Sequence, residues 1–107
     1  MTTAKFLFSD DTIISFELSG HSGAGEEGTD IVCSAISSAV YMAANTIIEI
    51  MKLSPETVVR DGYLKVKLTL DDARKSKVIT DGLYLHLGEL QSQYPNNLKL
   101  ERGVFNA

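Results

Sequence analysis

A glycine-rich segment after residue 19 separates two hydrophobic patterns of different period, and this change constrains the fold more than any other feature. Before it, Ile14, Phe16 and Leu18 alternate with polar residues, as in a β-strand with one buried face. After it, apolar residues recur every three or four positions, which is typical of an amphipathic helix. They are Ile36, Val40, Ala43, Ile47 and Met51. The sequence therefore predicts a strand, a loop and a helix.

The remaining patterns predict two hairpins, a second helix and a last strand. The expected strands are residues 5–8 and 12–19, 57–60 and 63–70, and 98–104. Asp61-Gly62 is a strong two-residue hairpin signal between the third and fourth strands. The expected helices are residues 30–53 and, capped by Asp71-Asp72, residues 71–94. We expect an α+β sandwich of order ββαββαβ, in which two helices pack on an antiparallel sheet of about five strands.

Composition narrows the class of protein. A chain of 107 residues is the size of one domain, so we expect a single domain over residues 1–107. Its net charge of −4 and the lack of a basic stripe argue against direct nucleic-acid binding and suit a basic partner. Neither a signal peptide nor an apolar run approaching ~18 residues is evident, so we expect no membrane association. A single cysteine cannot form an intrachain disulfide, which favours a cytoplasmic protein.

The segment GHSGAGEEGTDIVCSAIS carries the candidate chemistry, because it brings His21 close in sequence to Cys33, the only cysteine. A cysteine nucleophile needs a base that accepts the thiol proton, and imidazole is such a base. Asp30 is placed to cap the first helix, which would put Cys33 at its third position. There, the partial positive charge of the helix amides favours a thiolate. Ser37 lies one turn further on the same face and could orient the thiol or a substrate carbonyl.

Structural interpretations of the same residues remain open. Cys33 extends the apolar stripe by one step, as a buried core thiol would. Asp30 can be only a cap, Ser37 only a small packing residue, and His21 only a solvated loop residue. His86, beside the apolar stripe of the second helix, is expected to be structural. One cysteine and two separated histidines make no zinc pattern, and the glycine spacing lacks the signatures of phosphate loops.

The same segment, within the ββαββαβ order, resembles the ribosomal-processing cysteine proteases of Firmicutes and related bacteria, the Prp or YsxB-like family. The resemblance covers essentially the whole chain and rests on the paired GH and DIVC segments. It implies a cysteine endopeptidase with a catalytic dyad of His21 and Cys33 and with no metal or cofactor. Family signature positions also fall on Gly20, Asp30 and Ser37, in supporting roles.

The resemblance also implies a substrate, a partner and a moving loop. Family members remove the N-terminal extension of a basic large-subunit ribosomal protein of the peptidyl-transferase region, and they are homodimers. Their glycine-rich loop acts as a lid, which here would include Ser22, Gly23, Gly25 and Gly28. Two alternatives stand beside this hypothesis. One is a non-catalytic ribosome-assembly binding module with a core cysteine, and the other is a thiol-dependent hydrolase or acyl transferase acting on a small molecule.

Overall fold

The fold is built on a five-stranded sheet. The computed structural model describes the backbone of residues 1–20 and 27–105, and the side chains of these residues except 27–30. The elements are β1 (Thr2–Ser9), β2 (Thr12–Ser19), α1 (Glu27–Asn45), β3 (Glu56–Arg60), β4 (Tyr63–Lys67), α2 (Leu70–Lys75), α3 (Lys77–Gln93) and β5 (Leu98–Val104). A π-helical turn, Thr46–Ile50, continues α1. The predicted α+β class is confirmed.

The strand order is β3-β4-β2-β1-β5, and one pairing departs from the antiparallel expectation. β5 pairs parallel to β1, whereas the other three pairings are antiparallel. The chain between β4 and β5 crosses the sheet through α2 and α3, as a connection between strands of the same direction must. The alternation of residues along a strand does not reveal its direction, so the sequence pattern could not distinguish the two pairings.

The core lies between one face of the sheet and the helices. Phe6, Phe16 and Val66 are paired across β1, β2 and β4 and are each 1% exposed. Successive residues of a strand point to opposite faces, so this register directs one apolar row into the core. α1 contributes its own buried stripe, formed by Val32, Ile36, Val40, Ala43, Ala44 and, in the π-helical turn, Ile47. Val32, and not Cys33, therefore continues the predicted stripe toward the helix start.

The helix boundaries differ from the predicted ones, mainly at the start of α1 and around α2. α1 begins at Glu27 rather than at Asp30. The second predicted helix is two helices, which meet at the buried Ser76, whose hydroxyl donates to the Asp72 carbonyl at 2.8 Å. Asp71-Asp72 is not the cap of α2. The Thr69 hydroxyl accepts the Asp72 N–H at 3.2 Å instead, so β4 ends two residues before this cap.

The segment Ile31–Ile50 is apolar enough to cross a membrane by length and composition, with a mean hydropathy of 1.7. The expectation that no run has this length is therefore wrong. In the structure, however, Ile36, Ala43 and Ile47 are fully buried in the protein core. These buried residues form one stripe of the helix, whereas Ile31, Met42 and Ile50 are each more than half exposed.

Candidate active site

A cavity of about 170 Å³ opens at the end of the sheet where β1 begins and β2 ends. The turn between β3 and β4 forms one side of it, and α1 forms another. Its lining includes residues from four strands, the β3–β4 turn and the helix: Thr2, Leu18, Gly20, Cys33, Ser37, Val40, Tyr41, Arg60, Gly62, Tyr63 and Leu64. Three residues that the sequence singled out, Gly20, Cys33 and Ser37, therefore come together.

Cys33 lies on the flank of the buried helix stripe and not within it. Its neighbour Val32 is 5% exposed and Ile36 is fully buried, whereas Cys33 is only partly buried and lines the cavity. A helix turns about 100° per residue, so a shift of one position moves a side chain from the core to the edge of the buried face. This placement argues against the core-thiol interpretation, because the sulfur borders an open space.

Ser37 lies one helical turn beyond Cys33 and lines the same cavity, as the spacing of four predicts. It is half-buried. Neither the Cys33 thiol nor the Ser37 hydroxyl is hydrogen-bonded to another described side chain or carbonyl. Within the described part of the chain, both groups are therefore available to a molecule that enters the cavity.

The early start of α1 changes the electrostatics that the sequence suggested. Asp30 lies inside the first turn and is not the N-cap, and Gly28 is helical rather than part of a loop. Cys33 consequently lies in the second turn, where the N–H bonds within the helix. The field of the helix terminus falls off within the first turn. The Cys33 N–H is therefore not a free donor, and the predicted placement of Cys33 at the third helical position is wrong.

Gly20 holds a backbone conformation that the site geometry requires. Its φ is +92°, and a Cβ at this position would lie 2.6 Å from the Met1 carbonyl oxygen. Its N–H donates to the Gly62 carbonyl at 3.0 Å, which joins the end of β2 to the β3–β4 turn. Gly62 also has a positive φ, +71°. These two glycines let the strand ends that line the cavity approach each other.

A charged and aromatic group on the β3–β4 hairpin was missed by sequence reasoning. The Tyr63 hydroxyl donates to Glu17 Oε2 at 2.6 Å, and the Arg60 guanidinium carbon lies 4.7 Å from the centre of the Tyr63 ring. The hydrogen bond to the Glu17 carboxylate raises the pKa of Tyr63, and desolvation and the negative charge of Glu17 act in the same direction. Arg60 is the only cation among the described lining residues. The Asp61-Gly62 signal could have found this group, because a two-residue turn places its flanking residues side by side.

Thr2 is a second lining residue that the sequence did not suggest. Its side chain is 1% exposed, and its hydroxyl oxygen has no hydrogen-bond partner among the described residues. Buried hydroxyls are usually paired, so an unpaired one in a cavity wall is unusual. The alternation of Lys5 with Phe6 and Phe8 places Thr2 on the buried face and Thr3 on the other, but the predicted first strand began only at residue 5.

Four of the predicted residues, His21, Ser22, Gly23 and Gly25, lie outside the described residues. The second histidine, His86, is exposed on α3 and borders a different groove, between α1 and α3. His86 is therefore not part of the cavity that contains Cys33.

Comparison with known proteins identifies the family. The model of the family described as cysteine protease Prp matches residues 1–99. The chain belongs to this family. The ribosomal processing cysteine protease Prp of Bacillus subtilis (strain 168) is 30% identical over 101 residues, which cover 89% of this chain and 90% of that protein. The predicted family and enzyme class, a cysteine protease, are confirmed.

Solved structures show the same fold. The crystal structure of SMU.848 from Streptococcus mutans has a TM-score of 0.83 and 27% identity, and the match covers 98% of this chain and 96% of that one. The ribosomal processing protease Prp of S. aureus, in complex with a substrate peptide, has a TM-score of 0.84 and 22% identity, covering 95% and 99%. A further structure of the S. aureus protein contains a covalently linked product peptide. A cysteine protease, rather than a non-catalytic binding module, is the class that these comparisons support.

Proposed function

We propose that this chain is a site-specific endopeptidase that removes the N-terminal extension of a basic large-subunit ribosomal protein, with Cys33 as nucleophile and His21 as its base. The observation that carries the proposal is the position of the only cysteine on the wall of an open cavity rather than in the core. Its relatives are named as ribosomal processing proteases, and one of them is in complex with a substrate peptide, which supports the substrate class.

The reaction follows from the two side chains. His21 accepts the proton of Cys33, and the thiolate attacks the scissile carbonyl to form a tetrahedral intermediate. The protonated His21 then donates to the leaving amine, and the acyl group remains on the sulfur as a thioester. Water activated by His21 releases the new carboxylate and the free thiol. The product peptide that is covalently linked in the S. aureus protein is consistent with such an intermediate.

Supporting roles are proposed for three residues. Ser37 can donate a hydrogen bond to a substrate carbonyl from the turn after Cys33, and Gly20 holds the end of β2 against the β3–β4 turn. Asp30 lies in the first turn of α1, where an acidic residue suits the partial positive charge of the helix amides. The lid role of Ser22, Gly23 and Gly25 stays a prediction from the sequence.

The setting of the reaction is also part of the proposal. We propose a homodimer that acts in the cytoplasm, where a reducing environment keeps Cys33 as a thiol. The net charge of −4 favours encounter with a basic ribosomal precursor and disfavours direct binding of nucleic acid. The burial of the apolar face of α1 within the protein supports action away from a membrane.

The test is cleavage of a synthetic peptide that spans the N-terminal extension of the ribosomal protein and its junction with the mature protein. We expect cleavage at one bond, and none with Cys33→Ala or His21→Gln. Ser34→Ala and His86→Gln are matched controls, because both side chains are exposed and neither lines the cavity. They should cleave at the rate of the unmodified protein. Cleavage that survives in Cys33→Ala would exclude the proposed nucleophile.

A further inference from the structure

The two edges of the sheet differ in how they are protected. At one edge, β3 is exposed along its whole length, and its centre consists of the uncharged, β-branched residues Thr57, Val58 and Val59. Val58 is 42% exposed and Val59 is 62% exposed. An exposed edge strand without charges at its centre readily pairs with another extended chain.

The opposite edge of the sheet, β5, has charged residues along its length, which the centre of β3 lacks. β5 contains Lys99, Glu101 and Arg102, and an ion pair joins Lys99 to Glu101 at 3.5 Å. Charged residues along an edge strand discourage pairing with other chains, because pairing would bury or crowd them. The fold therefore blocks one edge and leaves the other able to accept a strand.

Hydrogen bonds just before and just after β4 determine which backbone groups of β3 face outward. The Gly62 carbonyl accepts the Gly20 N–H at 3.0 Å, and the Leu68 N–H donates to the Ile14 carbonyl at 2.8 Å. Because backbone groups alternate in direction along a strand, the even-numbered residues of β4 bond to β2 and the odd-numbered ones bond to β3.

The odd-numbered residues of β4 are paired with Arg60, Val58 and Glu56. The N–H and C=O groups of the residues between them, Thr57 and Val59, therefore point away from β4 toward the open edge. Among the described residues, no backbone group bonds to them. A row of two residues with free donors and acceptors is thus available for strand pairing.

This open edge is continuous with the cavity that contains Cys33. Arg60, the last residue of β3, lines that cavity. Val59 is paired with Leu64, and cross-strand partners project from the same face of a sheet. Leu64 belongs to the hydrophobic core together with Val32 and Ile36 of α1, so the side chain of Val59 lies on the face of the sheet that α1 covers.

We propose that the open edge of β3 binds the substrate as an added strand, which leads its scissile bond into the cavity beside Cys33. The inference rests on the proposed function, because the occupant is the extended segment of the peptide that the enzyme cleaves. An extended chain gains main-chain hydrogen bonds by this mode of recognition, and the side chains on alternate positions provide the selectivity. The uncharged centre of β3 suits a segment without charges at the positions that pair with it.

The protein variant that tests the proposal is Val59→Pro. Proline removes the outward N–H, and it leaves the β3–β4 ladder intact because that N–H does not bond to β4. Val59→Thr is the matched control, since it keeps the N–H and the β-branched shape. Binding is measured by fluorescence anisotropy of the labelled substrate peptide in a Cys33→Ala background, so that cleavage does not interfere. We expect Kd to be about three- to tenfold higher for Val59→Pro than for Val59→Thr, which corresponds to the loss of one hydrogen bond.

A second experiment uses the unaltered sequence at β3 and so does not depend on folding of the proline variant. Each backbone nitrogen of the peptide is methylated in turn, which removes one donor at a time. Strand addition predicts that Kd rises at every second position and stays constant between them. A smooth dependence on position, or equal Kd values for Val59→Pro and Val59→Thr, would overturn the proposal.

Two further outcomes separate the possible failures. If Val59→Pro changes the sedimentation coefficient of the free protein while Val59→Thr does not, the edge pairs with a second copy of the chain and the proposal is wrong. If the alternating binding pattern is found but the unmodified enzyme does not cut the peptide, the proposed function is wrong. The proposal that the edge of β3 binds a peptide is then still supported.

Discussion

Single glycine positions have opposite roles in this molecule, because their backbone conformations and surroundings differ. Gly20 has a φ of +92° and faces the Met1 carbonyl, whereas Gly82 lies in α3, where a Cβ would meet no neighbouring atom within 4 Å. A left-handed conformation disfavours any side chain, and a helical conformation disfavours glycine. Replacement by alanine should therefore have opposite effects on the free energy of unfolding at Gly20 and at Gly82.

We predict that Gly20→Ala lowers the free energy of unfolding by about 2 kcal/mol or more, through the positive φ and the clash with the Met1 carbonyl. Gly82→Ala should raise it by about 0.5–1 kcal/mol, because alanine is the better helix former and the site is open. Urea unfolding of both variants measures the two values. Equal effects would contradict the assigned backbone conformations.

The Tyr63–Glu17 hydrogen bond predicts a pH effect. The bond requires the protonated phenol, so the pKa of Tyr63 lies above its ordinary value of 10.0. The stabilisation is fully present below pH 10 and is lost as the pH rises through the raised pKa of the folded state. Glu17→Gln removes the carboxylate and should lower that pKa. Titration of the Tyr63 ring signals by NMR measures it in both proteins, and an unchanged midpoint would exclude the bond as its cause.

At the scale of elements, the start of α2 shows how a short polar side chain sets a boundary. β4 pairs with its neighbours as far as Lys67, and Thr69 then accepts the Asp72 N–H and begins the helix. The predicted strand ran to residue 70 because its alternating apolar pattern continues through Leu68 and Leu70. Leu68 is buried but Leu70 is 41% exposed. The alternating pattern therefore indicates core residues only as far as Leu68.

Thr69→Ala is expected to lower the free energy of unfolding by about 1 kcal/mol, since it leaves an N–H in the first turn of α2 without its acceptor. Thr69→Ser keeps the oxygen and should lower it by a smaller amount. Thermal and urea unfolding of the two variants give the comparison. Identical losses would mean that the methyl group of Thr69, and not its hydroxyl, is responsible.

At the scale of the whole molecule, the apolar segment that begins at Ile31 packs in the core of an α+β sandwich. Ile47 is fully buried, whereas Ile50, in the same π-helical turn, is 77% exposed. Composition does not distinguish these two isoleucines. Their side chains differ in exposure only because of how the helix packs against the sheet. Their contributions to the free energy of unfolding should therefore differ widely.

Ile47→Ala is expected to lower the free energy of unfolding by about 2–5 kcal/mol, because it removes buried methylenes and leaves a cavity. Ile50→Ala should change it by no more than about 0.5 kcal/mol. Urea denaturation of the two variants measures the difference. Similar losses would show that the helix packs on a different face from the one described.

The amino-acid sequence alone determined the class of the fold and the order of its strands and first helix, because hydrophobic period, glycine and proline act over short distances along the chain. It predicted the bounds of β2 and β5 to the residue. It also selected Cys33 and Ser37, which lie one turn apart in any helix that contains both. Tertiary structure alone decided that β5 pairs parallel to β1 and that Cys33 is only partly buried beside Val32. It also decided that Arg60 and Tyr63 line the same cavity as Cys33. These features join residues far apart in sequence, and such contacts depend on strand order and packing, which no local pattern encodes.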